Sequence, residues 1–179
     1  MINLQLITIL YDLALVTSGE IKASSLIQKT LQRILYHTSF PAGMYFSYQW
    51  KKIEEGNEYT EMEVESVIGN KKLRELVEKK VLLPSEVIVE KPTVMKDKSI
   101  VVSVLEGEIR YNVFLILPVK ETGLFILMSK EMPEFQYPYE YIFTPVLQNF
   151  HNSLTLLREN EKLFIRVLKF WHFFRHKDK

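Results

Sequence analysis

NVFLILPVKETGLFILMSKE, residues 112–131, reads as two apolar runs joined by a short polar turn. Runs of this length, rich in Leu, Ile, Val and Phe and broken at Lys120-Glu121-Thr122-Gly123, predict a β-hairpin. A strand with one face in water alternates apolar and polar residues, and these runs do not. Both faces of the hairpin must therefore be covered, and the rest of the chain has to supply two covers.

Helical periodicity is legible at the two ends. Ile2, Leu6, Ile9, Leu13 and Val16 repeat at helical spacing over residues 2–17, and Leu4, Ile7, Leu10, Ala14 and Leu15 form a second stripe. Two stripes predict one face on the domain and another on a partner chain, with Gly19 as the stop. Ser25-Leu26-Ile27-Gln28 has the pattern of a capping box, and Ile27, Leu31, Ile34 and Leu35 line the buried side of a second helix ending near Thr38. At the other end, Thr144-Pro145 reads as an N-cap with Pro at the first helical position, and no helix breaker follows as far as Phe174. About 30 helical residues span roughly 45 Å, more than one small domain needs. Leu147, Phe150, Leu154, Leu157, Phe164, Leu168 and Trp171 hold a heptad register with Glu161 at its one polar position, which suggests a parallel dimer.

Between the helices, the alternating aromatic stretch MYFSYQW (44–50) and YTEMEVESVI (59–68) predict two strands. Glu61, Glu63 and Glu65 fall on one face of the second, and a solvated strand face accounts for them more simply than a cation site. NKKLRELVEKKVLLP (70–84) predicts a short helix, residues 85–99 strand fragments and loop, and SIVVSVLE (99–106) a strand or a short buried helix.

Composition narrows the classes further. The 179 residues are 47% apolar and 25% charged, a globular balance for one domain with extra helix. No cysteine is present, which excludes disulfides, thiolate metal sites and thioether-linked cofactors and fits a reducing, cytoplasmic compartment. The net charge of +1 is no nucleic-acid signature, although residues 162–179 hold six basic residues against Asp178 alone. The opening MINLQLITILYDLALV is interrupted by Asn3, Gln5, Thr8 and Asp12, short of the about 18 apolar residues that span a bilayer, so it reads as a packed helix.

Helix, helix, strand, strand, short helix, irregular stretch, strand pair, long helix: in this order the chain resembles a GAF domain, the small-molecule sensor module of signalling proteins, over residues 5–164. DLALVTSGEIKASSLIQKTLQRIL resembles the opening helices of the family. FLILPVKETGLFILMSKE resembles its strand–turn–strand, and LTLLRENEKLF its closing helix end, with Asn160 and Leu163 in the matching places. The sequence departs from the pattern at GLFILM, where Phe125 or Ile126 replaces a second Gly. The resemblance implies an α+β fold with an antiparallel sheet of about six strands. Terminal helices would pack on one face and the 69–110 region on the other, with a pocket beneath the latter. It also implies a homodimer through the N- and C-terminal helices. Residues 1–164 would be the sensory domain, including the N-terminal dimer helix, and 165–179 a basic, aromatic helical extension. Function is then expected to be sensory or regulatory, relaying a small molecule's binding through the helices to a signalling output domain. The alternative is a ligand-free dimerisation or docking module.

Family ligands include cyclic nucleotides, bilins, haem, amino acids and metals, so the fold names no cofactor. Bilin attachment and methionine-sulfoxide reduction both call for a Cys that is missing here. The cyclic-nucleotide pattern corresponds to Ser129-Lys130, Phe135 and Tyr139-Glu140, and Tyr139 replaces the carboxylate that should pair with the Lys. No Gly-rich phosphate loop, nucleophile elbow or paired metal motif points to an enzyme. His37 suits a helix C-terminus, His151 an ordinary position in the closing helix, and His172 and His176 a solvated basic face.

Strand faces turned away from the terminal helices should line the pocket, with Tyr45, Ser47, Arg110, Asn112, Phe114 and Met128 as the candidates. Arg110 is the expected partner of an anionic ligand group. The tail KLFIRVLKFWHFFRHKDK separates Lys162, Arg166, Lys169, His172 and His176 from Phe164, Leu168, Trp171 and Phe174. It suits a dimer helix first and contact with an anionic membrane surface second.

Overall fold

The computed structural model describes residues 4–48, 59–96 and 111–175. Arg110, the 99–106 stretch and residues 176–179 lie outside them. The elements are α1 (Leu4–Ser18), α2 (Ala23–Thr38), β1 (Ala42–Tyr48), β2 (Tyr59–Ile68), α3 (Lys71–Arg74), β3 (Lys80–Pro84), β4 (Thr93–Met95), β5 (Val113–Val119), β6 (Gly123–Ser129) and α4 (Tyr139–Arg175). Six antiparallel strands form one sheet in the order β3-β2-β1-β6-β5-β4.

The hairpin β5–β6 is as its sequence requires. All of its strand residues except Pro118 are buried. Leu115, Leu117, Phe125 and Leu127 join a core with α1, α2 and α4. Phe114, Ile116, Leu124, Ile126 and Met128 point the other way, into a second core with Leu73 of α3, Leu83 of β3 and Val87. The terminal helices thus cover one face and the short-helix region the other. Helix α2 comes so close to the sheet that only Gly43 fits beneath it. A Cβ there would meet Leu127, Leu31 and Leu35 side chains at 3.0–3.1 Å.

Two polar links clamp the helices together. Asp12 of α1 takes His37 Nε2 at 2.7 Å and Arg33 at 3.7 Å, both from α2. The capping box expected at Ser25 does not form. Helix α2 starts at Ala23, and the Ala23 N–H donates to Glu161 Oε1 of α4 at 2.9 Å, a cap supplied 138 residues away. Ser25 instead donates to Glu20, which also takes Lys29 at 2.5 Å. A carboxylate at this position satisfies an N-terminal amide and sits favourably against the helix dipole.

Two element boundaries differ from the sequence reading. The helix predicted over 70–84 stops at Arg74, because Glu78 turns into the left-handed region and Lys80–Pro84 pairs with β2 as an edge strand. Asn70 caps the remaining turn by accepting from the Leu73 N–H at 3.0 Å. Helix α4 begins at Tyr139 and carries Pro145 inside it. Pro145 leaves the carbonyl of Tyr141 without its helical donor, and Tyr141 is exposed, so water can serve it.

Strand β2 contains a bulge opposite the Tyr45/Phe46 step, where Tyr45 pairs with Ser66 and Phe46 with Val64, leaving Glu65 as the extra residue. The bulge resets the alternation. Met62, Val64 and Val67 belong to the second core, and Ile68 packs on the helix side.

Gly123 closes the hairpin turn where no side chain fits: a Cβ would stand 2.0 Å from the Phe46 carbonyl oxygen. Gly123→Ala is expected to cost about 2–4 kcal/mol in urea denaturation, since a backbone atom cannot step aside as a side chain can. A loss below 0.5 kcal/mol, on the order of an ordinary surface change, would contradict that packing.

Candidate functional site

Among the described residues, the face expected to hold a pocket carries a cluster of buried apolar side chains. Phe114 and Met128 are direct cross-strand partners on that face, as expected, and are only 1 and 2% exposed. Met44 and Phe46 of β1 lie beside them, because β1 pairs Met44 with Ile126 and Phe46 with Leu124.

That register corrects the placement of Tyr45 and Ser47. Tyr45 pairs with Phe125 and Ser47 with Gly123, which turns both toward the terminal helices and away from Phe114 and Met128. The Tyr45 ring packs 4.7 Å from Phe125 and 5.6 Å from Phe150 of α4. Asn112 is exposed just ahead of β5, where its side-chain amide donates to the Lys130 carbonyl at 3.3 Å. Of the six candidate residues, then, Phe114 and Met128 come together, Tyr45 and Ser47 share the opposite face, Asn112 sits at a strand end, and Arg110 is outside the described residues.

The helix side holds a polar group that sequence reading missed. Arg158 of α4 pairs with Glu65, the extra residue of the β2 bulge, and the two side chains are 28 and 25% exposed. Both charges lie close enough to Tyr45 to bear on its ionisation, but burial dominates and holds its pKa well above the ordinary phenol range. The Tyr45 hydroxyl has no hydrogen-bond partner among the described residues. One signal for this group is present in the sequence: the spacing Met62, Val64, Val67 breaks strict alternation at Glu65-Ser66 and marks the bulge. Nothing comparable singles out Arg158. The rest of the acidic row is also engaged, with Glu61 at 3.2 Å from Lys80.

Two of the residues matched to the cyclic-nucleotide pattern, Phe135 and Tyr139, pack against each other. Tyr139 stacks on Phe135 with ring centroids 4.9 Å apart and planes 4° from parallel, and Phe143 continues the stack. Burial raises the Tyr139 pKa.

A separate cleft of about 510 Å³ lies at the hairpin's turn end, between Val89–Pro92, Pro118–Glu121 and the first turns of α4. Its charged residues carry both signs, and Lys91 Nζ stands 3.7 Å from Glu140 Oε2.

No protein-family model matches the sequence, and no curated protein matches it significantly. Solved structures do match. The GAF domain of a phosphoenolpyruvate-protein phosphotransferase from Acinetobacter superposes with a TM-score of 0.65 at 16% identity, over 89% of this chain and 97% of that one. The corresponding domain from Coxiella burnetii gives 0.65 at 13%, over 88 and 97%. The GAF domain of a putative sensor histidine kinase from Pseudomonas syringae pv. tomato gives 0.53 at 16%, over 92% of each chain. The chain has the fold of a GAF domain.

The Glu65–Arg158 pair is about three-quarters buried, between the exposed and fully buried limits. Arg158→Met is expected to cost about 1–3 kcal/mol by urea denaturation. In a double-mutant cycle Glu65→Gln should cost less in the Arg158→Met background than alone. Strict additivity of the two changes would show that the pair is not coupled.

Proposed function

We propose that this chain is a regulatory module that works as a homodimer joined through α1 and α4, and that these helices, rather than a pocket under the second cover, carry its output to a signalling partner. The observation behind this reading is the outer face of α1. Leu4, Ile7, Tyr11 and Leu15 are 46 to 77% exposed, beside an inner stripe whose Ile9 and Leu13 are buried. Leu156 adds an exposed apolar side chain on α4 within the domain. A contiguous apolar face on a helix is the ordinary mark of a protein contact. The structures it resembles are domains of a phosphotransferase and of a sensor histidine kinase, which supports a regulatory role. No described helix is long and apolar enough to cross a membrane.

Light scattering at micromolar concentration is expected to give twice the 21.2 kDa chain mass. Ile7→Glu with Tyr11→Glu should reduce it to a monomer with an unchanged circular dichroism spectrum. A monomeric parent protein overturns the reading.

The small-molecule reading draws its support from the cleft beside Lys91 and Glu140 rather than from the filled face. Nucleotides and tetrapyrroles are therefore expected to leave thermal melting unchanged, although a ligand at 100 times its dissociation constant adds about 2.7 kcal/mol and would be seen. A small zwitterion that binds in the cleft should raise the melting temperature and lose that effect in Lys91→Ala. A shift produced by a tetrapyrrole or nucleotide would instead show that the second core opens.

A further inference from the structure

Helix α4 does not stop where the domain does. Leu154 is the last fully buried among its described side chains, and Glu161 makes its cap to α2. Every residue from Glu159 to Phe170 is exposed, yet the helix continues to Arg175. In this extension Leu163, Phe164, Ile165, Val167, Leu168 and Phe170 are 46 to 64% exposed. Six large apolar side chains in eight consecutive positions are held in water.

Their arrangement around the helix says what kind of surface they fit. At about 100° per residue they sweep an arc of roughly 220°, and Lys162, Arg166 and Lys169 share the remaining stripe, within about 60° of one another. A two-stranded coiled coil buries a narrow seam and flanks it with charges of both signs that pair between chains. Here the arc is about twice as wide as such a seam, and no acidic residue stands between Glu161 and Asp178. Two copies of the extension laid side by side would place cation against cation with no carboxylate to separate them. A wide apolar arc, aromatic residues within it and a purely cationic polar stripe fit the boundary of an anionic bilayer instead: the arc enters the acyl region, and the cations reach the headgroups. No described helix is long and apolar enough to cross a membrane, and the proposal places the extension in the plane of the surface.

We propose that residues 162–170 of α4 form a lipid-binding amphipathic surface that holds the domain against membranes rich in anionic lipid. This reassigns the extension, which the heptad register had placed in the dimer seam, and leaves α1 and the part of α4 within the domain, with Leu156, to join the two copies.

The test is co-sedimentation of the 179-residue chain with vesicles of phosphatidylcholine alone and of phosphatidylcholine mixed equally with phosphatidylglycerol. Binding is expected to be at least about tenfold stronger to the anionic vesicles and to weaken as salt rises. Arg166→Gln with Lys169→Gln should reduce that binding about thirtyfold, since each cation near an anionic surface contributes about fivefold. Both changes fall on exposed positions, so the fold should be unaffected, and circular dichroism checks this. The monomeric Ile7→Glu, Tyr11→Glu variant should still bind vesicles to some degree, which keeps this proposal separable from the dimer reading. Equal binding to the two vesicle types, or no loss in the double Gln variant, overturns the proposal. A double Gln variant that changes oligomeric state without changing vesicle binding also overturns it and returns the extension to the dimer seam.

Discussion

The structure depends on the burial of the β5–β6 hairpin on both faces. Thirteen of its fourteen strand residues are buried, so the hairpin cannot exist as an edge or as one layer of a two-layer domain. Everything else is placed by that demand. The terminal helices converge from opposite ends of the sequence to cover one face, and Leu73, Leu83 and Val87, which follow β2, pack on the other. The sheet order, with β6 and β1 at its centre, puts the most apolar strands where both covers reach.

How far this could be read in advance differs by element, for physical reasons. The hairpin, β2 and the inner stripe of α1 follow from local patterning, because their burial is written in each residue's own type. The cap of α2 was not legible. Ser25 and Gln28 satisfy a local rule, but the amide at Ala23 is reached by Glu161 from the far end of the chain, and no spacing rule spans that distance. The segment 70–84 failed in a similar way: Lys80–Pro84 is a strand because β2 offers an open edge, and edge pairing is a tertiary fact.

The candidate site divided along the same line. Phe114 and Met128 were placed on the right face because the hairpin's register with itself fixes them. Tyr45 and Ser47 were misplaced, since the face of β1 depends on which β6 residue each one opposes, and a shift of one residue exchanges the two sides. Tyr45 stood among the pocket candidates only through the strand face assigned to it. In the structure the same ring fills the interior between Phe125 and Phe150. A GAF fold therefore survives here while its second face is packed with Met44, Phe46, Ile126 and other apolar side chains. That packing shifts attention from the sheet's interior to the helices that leave it.

One consequence follows from where α4 is fastened. Arg158 ties it to the bulge of β2, and Glu161, three residues on, ties it to the first amide of α2. Residues three apart lie on the same side of a helix. The two ties therefore act as a torsional lock: turning α4 about its own axis breaks both together, whereas tilting or bending the segment beyond Glu161 breaks neither. Motion passed along this helix meets the least resistance as a swing of its free end, with Glu161 as the pivot.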